Sequence, residues 1–176
     1  MNPRTPAQPA PATVARLVHE LESLLDQLIV EHRKLLSHVQ QHAQAMRSMN
    51  LQQMDLAARQ QDACRSRLTQ VERRRRAVVQ QLASHHKLLR EPTLQEIASL
   101  HPLAAGTLLG KRDVLRTLAS EVALRANVAG KLAGAVLGHL NMAVRAIAGA
   151  VEQAGVYTKT GLPKVSGRIG ALEAVG

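Results

Sequence analysis

Histidines are the first residues of this chain whose type and spacing could support chemistry. His38 and His42 are four residues apart, a spacing that places two imidazoles on one side of a helix, where they can share a metal ion. His85 and His86 are adjacent, so they point to different faces of a helix. No cysteine or carboxylate near either pair completes a ligand set. The sequence therefore predicts no metal site and no cofactor.

The second candidate is a run of four arginines at Arg73–Arg76, with Arg65 and Arg67 shortly before it. Such a block could hold phosphates electrostatically. However, four consecutive residues spread around the whole circumference of a helix, and no aromatic residues are interleaved for base stacking. The run therefore favours a solvated face or an acidic protein partner over nucleic acid. A basic helical nucleic-acid-binding protein that uses Arg65–Arg76 stays open as the alternative.

Motifs typical of enzymes are missing from the sequence. It has no Gly-rich phosphate loop, no nucleophile elbow and no zinc-protease helix motif. The single cysteine, Cys64, cannot form an intrachain disulfide and fits a reducing compartment. We predict a non-enzymatic cytoplasmic protein with no catalytic residues.

A glycine repeat near the end of the chain has two interpretations. Gly130, Gly134 and Gly138 recur every four residues, on the side of a helix away from Leu132 and Leu140. Each interior glycine costs about 1 kcal/mol of helix stability relative to alanine. The repeat indicates either drift toward small residues or a weak helix that completes its packing only when a partner binds.

The elements that must position these residues are helices. The chain has no Trp, no Phe and one Tyr, so its core must be narrow and aliphatic, which suits an elongated helical bundle. Apolar residues recur at steps of three, four and seven along three segments, which indicates three seams. We predict an all-α fold: an elongated antiparallel bundle of three long helices, a short helix between the second and third, and flexible N- and C-terminal tails.

Capping residues and prolines predict the helix boundaries. Thr13 is the expected N-cap of the first helix, and Asn50 that of the second. Pro92 should stop the second helix near Arg90. Thr93 and Glu96 form a capping box for the short helix, which His101–Pro102 ends. The third helix is expected from about Asp113 to Gly155, because Gly106 and Gly110 loosen the stretch before it.

These boundaries predict three regions. Residues 1–12 form a flexible Pro-rich leader, 13–154 the helical bundle and 155–176 a flexible C-terminal tail. The longest weakly polar stretch, Leu132–Val144, is bounded by Lys131 and Arg145. It falls short of the roughly 20 apolar residues of a membrane span, so we expect none. The net charge of +10 does not choose among nucleic acid, an acidic partner and an anionic membrane surface.

The order of these elements, together with the tail, resembles one known family, the FlgN-type flagellar export chaperones. A long helix leads into a second through Ala45–Leu51, and the second ends in Gln81–Ala83. A short capped helix follows at Thr93–Leu100, and a third long helix carries Asn127. The chain then closes with Gly155–Gly161, which contains Tyr157, and with Leu172–Ala174.

This resemblance implies a cytoplasmic chaperone of the flagellar type III secretion system. Such chaperones hold hook-associated (hook–filament junction) proteins unassembled and deliver them to the export apparatus. By the resemblance, Tyr157 helps to dock at the export gate. The implied substrate-protein contacts lie on the C-terminal helix: Leu132, Val136, Leu140, Val144, Ile147 and Val151.

Some questions stay open at the level of sequence. Members of the family are often acidic, whereas this chain is strongly basic, so the identity and charge of its cargo are undetermined. The oligomeric state is also open, including the possibility of a coiled coil that self-associates.

Overall fold

The protein is built from helices, as the sequence predicts. The computed structural model describes residues 11–154, with side chains described over 12–149. In order, the helices are α1 (Pro11–Arg47), α2 (Leu51–His85), α3 (Leu94–Leu100) and α4 (Pro102–Ala154), and the described residues contain no strand. This confirms the all-α fold with three long helices and a short one. Most of the predicted leader and the whole predicted tail lie outside the described residues.

The chain divides into two compact units. The first is Met1–Leu132 and the second is Ala133–Gly176. The first unit therefore contains α1, α2, α3 and the part of α4 up to Leu132, and the second contains the rest of α4. A single bundle over residues 13–154 stays a prediction.

Helices α1 and α2 form an antiparallel pair joined by a tight turn. Met49 lies in the left-handed region with φ of 52°, which reverses the chain. The Asn50 N–H returns to the Ala45 carbonyl (3.0 Å) and the Met49 N–H to the Met46 carbonyl (3.2 Å), which is the hydrogen-bond pattern of a Schellman motif. The Asn50 Oδ1 then accepts from the Gln53 N–H at 3.1 Å. Asn50 is thus the N-cap of α2, as predicted.

The core of the first unit is aliphatic and narrow. Leucines of α1 pack against the last turns of α2, and α3 and the start of α4 close the open side with Ile97 and Leu108. The Lys111 Nζ lies 2.7 Å from the Asp26 Oδ2, which ties α4 alongside α1. The core cluster consists of Leu17, Val18, Leu21, Leu24, Leu25, Leu28, Val78, Val79, Leu82, Ile97 and Leu108.

Three of the predicted boundaries were wrong. Helix α1 begins at Pro11, so Thr13 lies inside the helix and does not cap it. Helix α2 ends at His85, before Pro92 can act, because Lys87 adopts φ of 53° and forms a second Schellman motif. Leu89, which a helix that continued to Arg90 would contain, is therefore outside the helix and fully exposed.

The third correction concerns the start of the last long helix. It begins at Pro102 rather than near Asp113, and Gly106 and Gly110 are helical. Proline suits the first position of a helix, where its missing N–H has no partner to lose. Leu108, which lies between the two glycines, is completely buried. The burial of this leucine outweighs the cost of two glycines in the helix.

Candidate functional site

The predicted substrate-contact residues lie on α4 and become steadily more exposed along it. Leu132, the last residue of the first unit, and Val136, in the second, are half-buried. Leu140, Val144 and Ile147, also in the second unit, are 46%, 63% and 64% exposed. Val151 belongs to the helix, but its side chain is not described, and Tyr157 lies outside the described residues. The exposed members are large aliphatic side chains that water solvates poorly.

One further residue belongs to this surface although the sequence interpretation did not name it. Leu137 is 61% exposed. It precedes Leu140 by three residues and Val144 by seven, the spacing that keeps side chains on one face of a helix. Its place on that face could have been found from this spacing. We call the surface formed by Leu137, Leu140, Val144 and Ile147 the apolar face of α4.

Glycines recur every four residues along the same segment, at Gly130, Gly134 and Gly138. At about 100° per residue, Gly134 and Gly138 lie more than a quarter turn away from Leu140. A β-carbon built on Gly130, Gly134 or Gly138 meets no atom within 4 Å. The glycines are therefore not required by a close approach of another described part of the chain. Their effect in this structure is to lower the intrinsic stability of the helix.

The charge around the apolar face has one sign. Between Val122 and Val151 the sequence contains no Asp or Glu, whereas it contains Arg125, Lys131 and Arg145. A partner that lies on this face is therefore expected to be apolar at its centre and neutral or acidic at its edges.

Helix α4 is also the one helix among the described residues that is long and apolar enough to cross a membrane. An 18-residue window within Pro102–Gly149 has a mean hydropathy of 1.3, and none of that window is buried. The sequence predicts no membrane span, because Leu132–Val144 is too short for one. By length and composition, however, the longer helix is sufficient for one. The same test is passed by helices that do not cross a membrane, so it is weak evidence for a span.

Gln61 of α2 contacts both histidines considered as a metal site, His42 at its ring and His38 at its backbone carbonyl. The Gln61 Nε2 lies 3.1 Å from the His42 Nδ1 and donates to the His38 carbonyl at 3.3 Å. Gln61 is buried, and these contacts satisfy its amide nitrogen. The described residues contain no group of three or more histidines, cysteines or acids that could hold a metal ion. The pair therefore joins α1 to α2.

Most arginines of the segment Arg65–Arg76 are already engaged with carboxylates. Arg65 contacts Asp62 at 3.3 Å, and Arg67 contacts Glu31 at 2.8 Å. Arg75 and Arg76 both contact Glu72, at 2.7 and 3.3 Å. Hydrogen bonds from Arg75, followed by those from Arg76, lower the pKa of Glu72 although its burial acts in the opposite direction. This pairing removes much of the positive charge that a phosphate backbone would need.

Comparison with known proteins identifies the family. A family model described as FlgN protein matches residues 17–164, which is most of the chain.

The chain belongs to the FlgN family.

FlgN proteins are flagellar chaperones and not an enzyme family, so membership assigns this chain a general role as a flagellar export chaperone. No match was found among curated proteins or among solved structures. FlgN chaperones are generally soluble cytoplasmic proteins, which argues against a membrane span in α4.

Proposed function

We propose that this chain binds hook-associated (hook–filament junction) proteins through the apolar face of α4. The observation that supports the proposal is the exposure of Leu137, Leu140, Val144 and Ile147 together on one face of one helix. Monomeric soluble proteins rarely leave a continuous apolar surface exposed unless a partner covers it. An amphipathic helix of the cargo would cover it by adding one more helix to the bundle.

The chain then delivers its cargo to the flagellar type III export apparatus in the cytoplasm. In this proposal, Leu132 and Val136 extend the cargo contact toward the start of the face, and Val151 extends it toward the end. Tyr157, just beyond α4, docks the loaded chaperone at the export gate. Cargo binding and docking thus use neighbouring but separate residues.

A paired substitution tests the cargo site. Leu140→Asp with Ile147→Asp places two charges in the apolar face and is expected to abolish pull-down of the hook-associated proteins. The matched control is Ala135→Asp with Met142→Asp, because both residues are exposed and lie on the opposite side of the helix. The control adds the same charge as the test variant but outside the proposed contact, so it should leave pull-down unchanged. Equal pull-down by the two double variants would contradict the proposed site.

A single substitution tests docking. Tyr157→Ala is expected to leave cargo pull-down unchanged and to reduce secretion of the hook-associated proteins by cells that carry only this variant. Loss of cargo pull-down in Tyr157→Ala would show that the residue belongs to cargo binding. Normal secretion would show that it has no role in docking.

A further inference from the structure

A groove in the first unit combines an apolar floor with a basic rim. Its volume is about 730 Å³. Leu25 and Leu28 of α1, Leu68 of α2 and Leu115 of α4 form the floor, which continues the hydrophobic core to the surface. Five arginines border it, whereas Glu72 is the one carboxylate among the residues that line it; these arginines are Arg73, Arg75, Arg76, Arg112 and Arg116.

Two of the five arginines are available for a partner. Arg75 and Arg76 share Glu72, and Arg112 contacts Asp113 at 2.9 Å. Arg73 and Arg116 are exposed and form no ion pair with another described residue. They stand on opposite walls, Arg73 on α2 and Arg116 on α4. The groove therefore presents one uncompensated guanidinium on each side of its apolar floor.

The spacing of the lining residues fits a helical occupant. On α2 the lining runs from Leu68 to Arg76, and on α4 from Arg112 to Ala119, with steps of three and four residues on both walls. At 1.5 Å per residue, each wall is roughly 10–12 Å long, or about two helical turns. Two antiparallel helices with such a seam between them accept a third helix by ridges-into-grooves packing.

Charge excludes this chain as its own occupant. The C-terminal segment carries Lys159, Lys164 and Arg168 but only one acid, Glu173, and the N-terminal segment before Pro11 carries Arg4 and no acid. A second copy has a net charge of +10. Its one acidic amphipathic stretch, Glu20–Glu31, is already used, because the leucines of that stretch are buried in the core of its own first unit. Nucleic acid would satisfy the arginines but would leave the leucine floor without an apolar partner, since its bases stack best on aromatic side chains.

We propose that this groove binds an acidic amphipathic helix of a partner protein. The apolar stripe of that helix covers the leucine floor, and carboxylates on its two flanks pair with Arg73 and Arg116. Charge-assisted bonds from arginine to carboxylate fix the register and orientation of the helix. This site goes beyond the cargo site proposed above, because it lies within residues 25–119 and the cargo residues lie within 132–151.

A designed peptide tests the groove directly. The probe is a fluorescein-labelled 18-residue helix with leucines on one stripe and glutamates on both flanks of it. Its control has the same composition in an order that breaks the stripe. We expect fluorescence anisotropy to show binding of the amphipathic peptide about tenfold tighter than that of the reordered peptide. Equal binding of the two peptides, or no binding of either, would overturn the proposal.

Charge reversal locates the peptide on the protein. Arg73→Glu with Arg116→Glu is expected to weaken binding about tenfold or more. The matched control is Arg16→Glu with Arg33→Glu, two exposed arginines of α1 outside the groove, which should change binding less than about twofold. Both double variants lower the net charge by the same amount. If both weakened peptide binding equally, the cause would be overall charge, and the proposal would be wrong.

Two further measurements keep the test decisive. Circular dichroism shows whether the charge-reversed variant is folded. If it is unfolded, Arg73→Gln with Arg116→Gln replaces it and is compared with Arg16→Gln and Arg33→Gln. A labelled single-stranded oligonucleotide that displaces the peptide and binds more tightly would assign the groove to nucleic acid instead. The cargo site is tested by pull-down with the variant Leu140→Asp and Ile147→Asp, and the groove is tested by peptide binding. The two proposals can therefore fail separately.

Discussion

Glu31 and Arg67 join α1 to α2 through an ion pair in which the Arg67 Nε lies 2.8 Å from the Glu31 Oε2. Glu31 is buried, with 8% of its surface exposed. The Lys34 Nζ donates to its other oxygen at 2.7 Å, and the Cys64 Sγ lies 3.4 Å from the Oε2. Burial raises the pKa of the Glu31 carboxyl, but the hydrogen bonds from Lys34, Arg67 and Cys64 outweigh it and lower the pKa to about 2.

Neutralising Glu31 should therefore cost stability at neutral pH. The folded-state pKa of Glu31 is below the unfolded value, so its charge stabilises the fold above pH 4.5, and this stabilisation is lost as the pH falls toward 2. We expect Glu31→Gln to lower the free energy of unfolding at pH 7 by roughly 3 kcal/mol at most. Urea unfolding measures the difference between wild type and variant, which should shrink steadily between pH 4.5 and pH 2.

The control for this prediction is an exposed ion pair. Asp55 contacts Arg59 at 2.9 Å, and both side chains are mostly exposed. Asp55→Asn should change the free energy of unfolding by less than about 1 kcal/mol, since exposed pairs contribute little. If Glu31→Gln were no more destabilising than Asp55→Asn, the buried pair would not be a major link between α1 and α2.

Lys87 is a position where glycine should stabilise the protein. It occupies the left-handed C′ position of the Schellman motif that ends α2, with φ of 53°, and its N–H bonds to the Ser84 carbonyl at 3.2 Å. Any residue with a β-carbon costs roughly 1 kcal/mol more than glycine in this conformation. We expect Lys87→Gly to raise the melting temperature by about 2–4 °C. Gln80 is an exposed residue within α2, away from the ends of the helix. Gln80→Gly should therefore lower the melting temperature. If both glycine variants raised it, the cause would be a general effect of removing side chains.

Local signals in the sequence predicted the local features of this fold. The Thr93 and Glu96 capping box is present, with the Thr93 N–H donating to the Glu96 Oε2 at 2.8 Å. Asn50 caps α2, and the leucine seam of α1 is buried. These features depend on residues within a few positions of one another, so their chemistry is readable from spacing alone.

Features that depend on distant residues could not be predicted in the same way. Glu31 and Arg67 are 36 residues apart, and nothing in either segment marks the other as a partner. The groove bordered by Arg73 and Arg116 exists only because α4 returns along α2. The start of α4 was missed because the burial of Leu108, a tertiary effect, decides the conformation of Gly106 and Gly110. On α4, the sequence indicated most of the apolar face but not Leu137.

His86 and His101 should make stability depend on pH near neutrality. Their Nε2 atoms are 3.0 Å apart, so one ring donates to the other, and the contact holds a single proton between the two nitrogens. Burial, and then the charge of His86, lower the pKa of His101 below its usual 6.5. Below pH 6.5 the unfolded state therefore binds more protons than the folded state at this residue, and stability falls with the pH until His101 is protonated in the folded protein.

The measurement is a set of melting curves between pH 7.5 and pH 5. We expect the melting temperature of the wild type to fall across this range, and that of His101→Gln to fall less, because glutamine does not titrate. His19→Gln is the control, since the His19 side chain is 86% exposed and lies outside the contact between His86 and His101. A wild-type slope that His101→Gln does not reduce would rule out this residue as its source.

Alanine at Gly134 and Gly138 separates the two interpretations of the glycine repeat. A β-carbon fits at both positions without contact, so the double variant should add up to about 2 kcal/mol of intrinsic helix stability and increase the helical signal at 222 nm. If α4 completes its packing only on cargo binding, a more ordered helix loses less entropy, and the affinity for hook-associated proteins should rise severalfold. If the glycines reflect drift alone, helicity rises and affinity does not change.

Gly106→Ala with Gly110→Ala provides the matched control in the first unit. Those glycines also have no atom within 4 Å of a built β-carbon, so the gain in helix propensity is the same. They lie outside the proposed cargo residues, and the control should therefore raise stability without raising cargo affinity. If both double variants raised the cargo affinity similarly, the rise would come from global stability. If the variant at Gly134 and Gly138 alone lowered the cargo affinity, cargo would contact the glycine side of α4. That last result would extend the proposed contact from the apolar face to the side of α4 that carries Gly134 and Gly138.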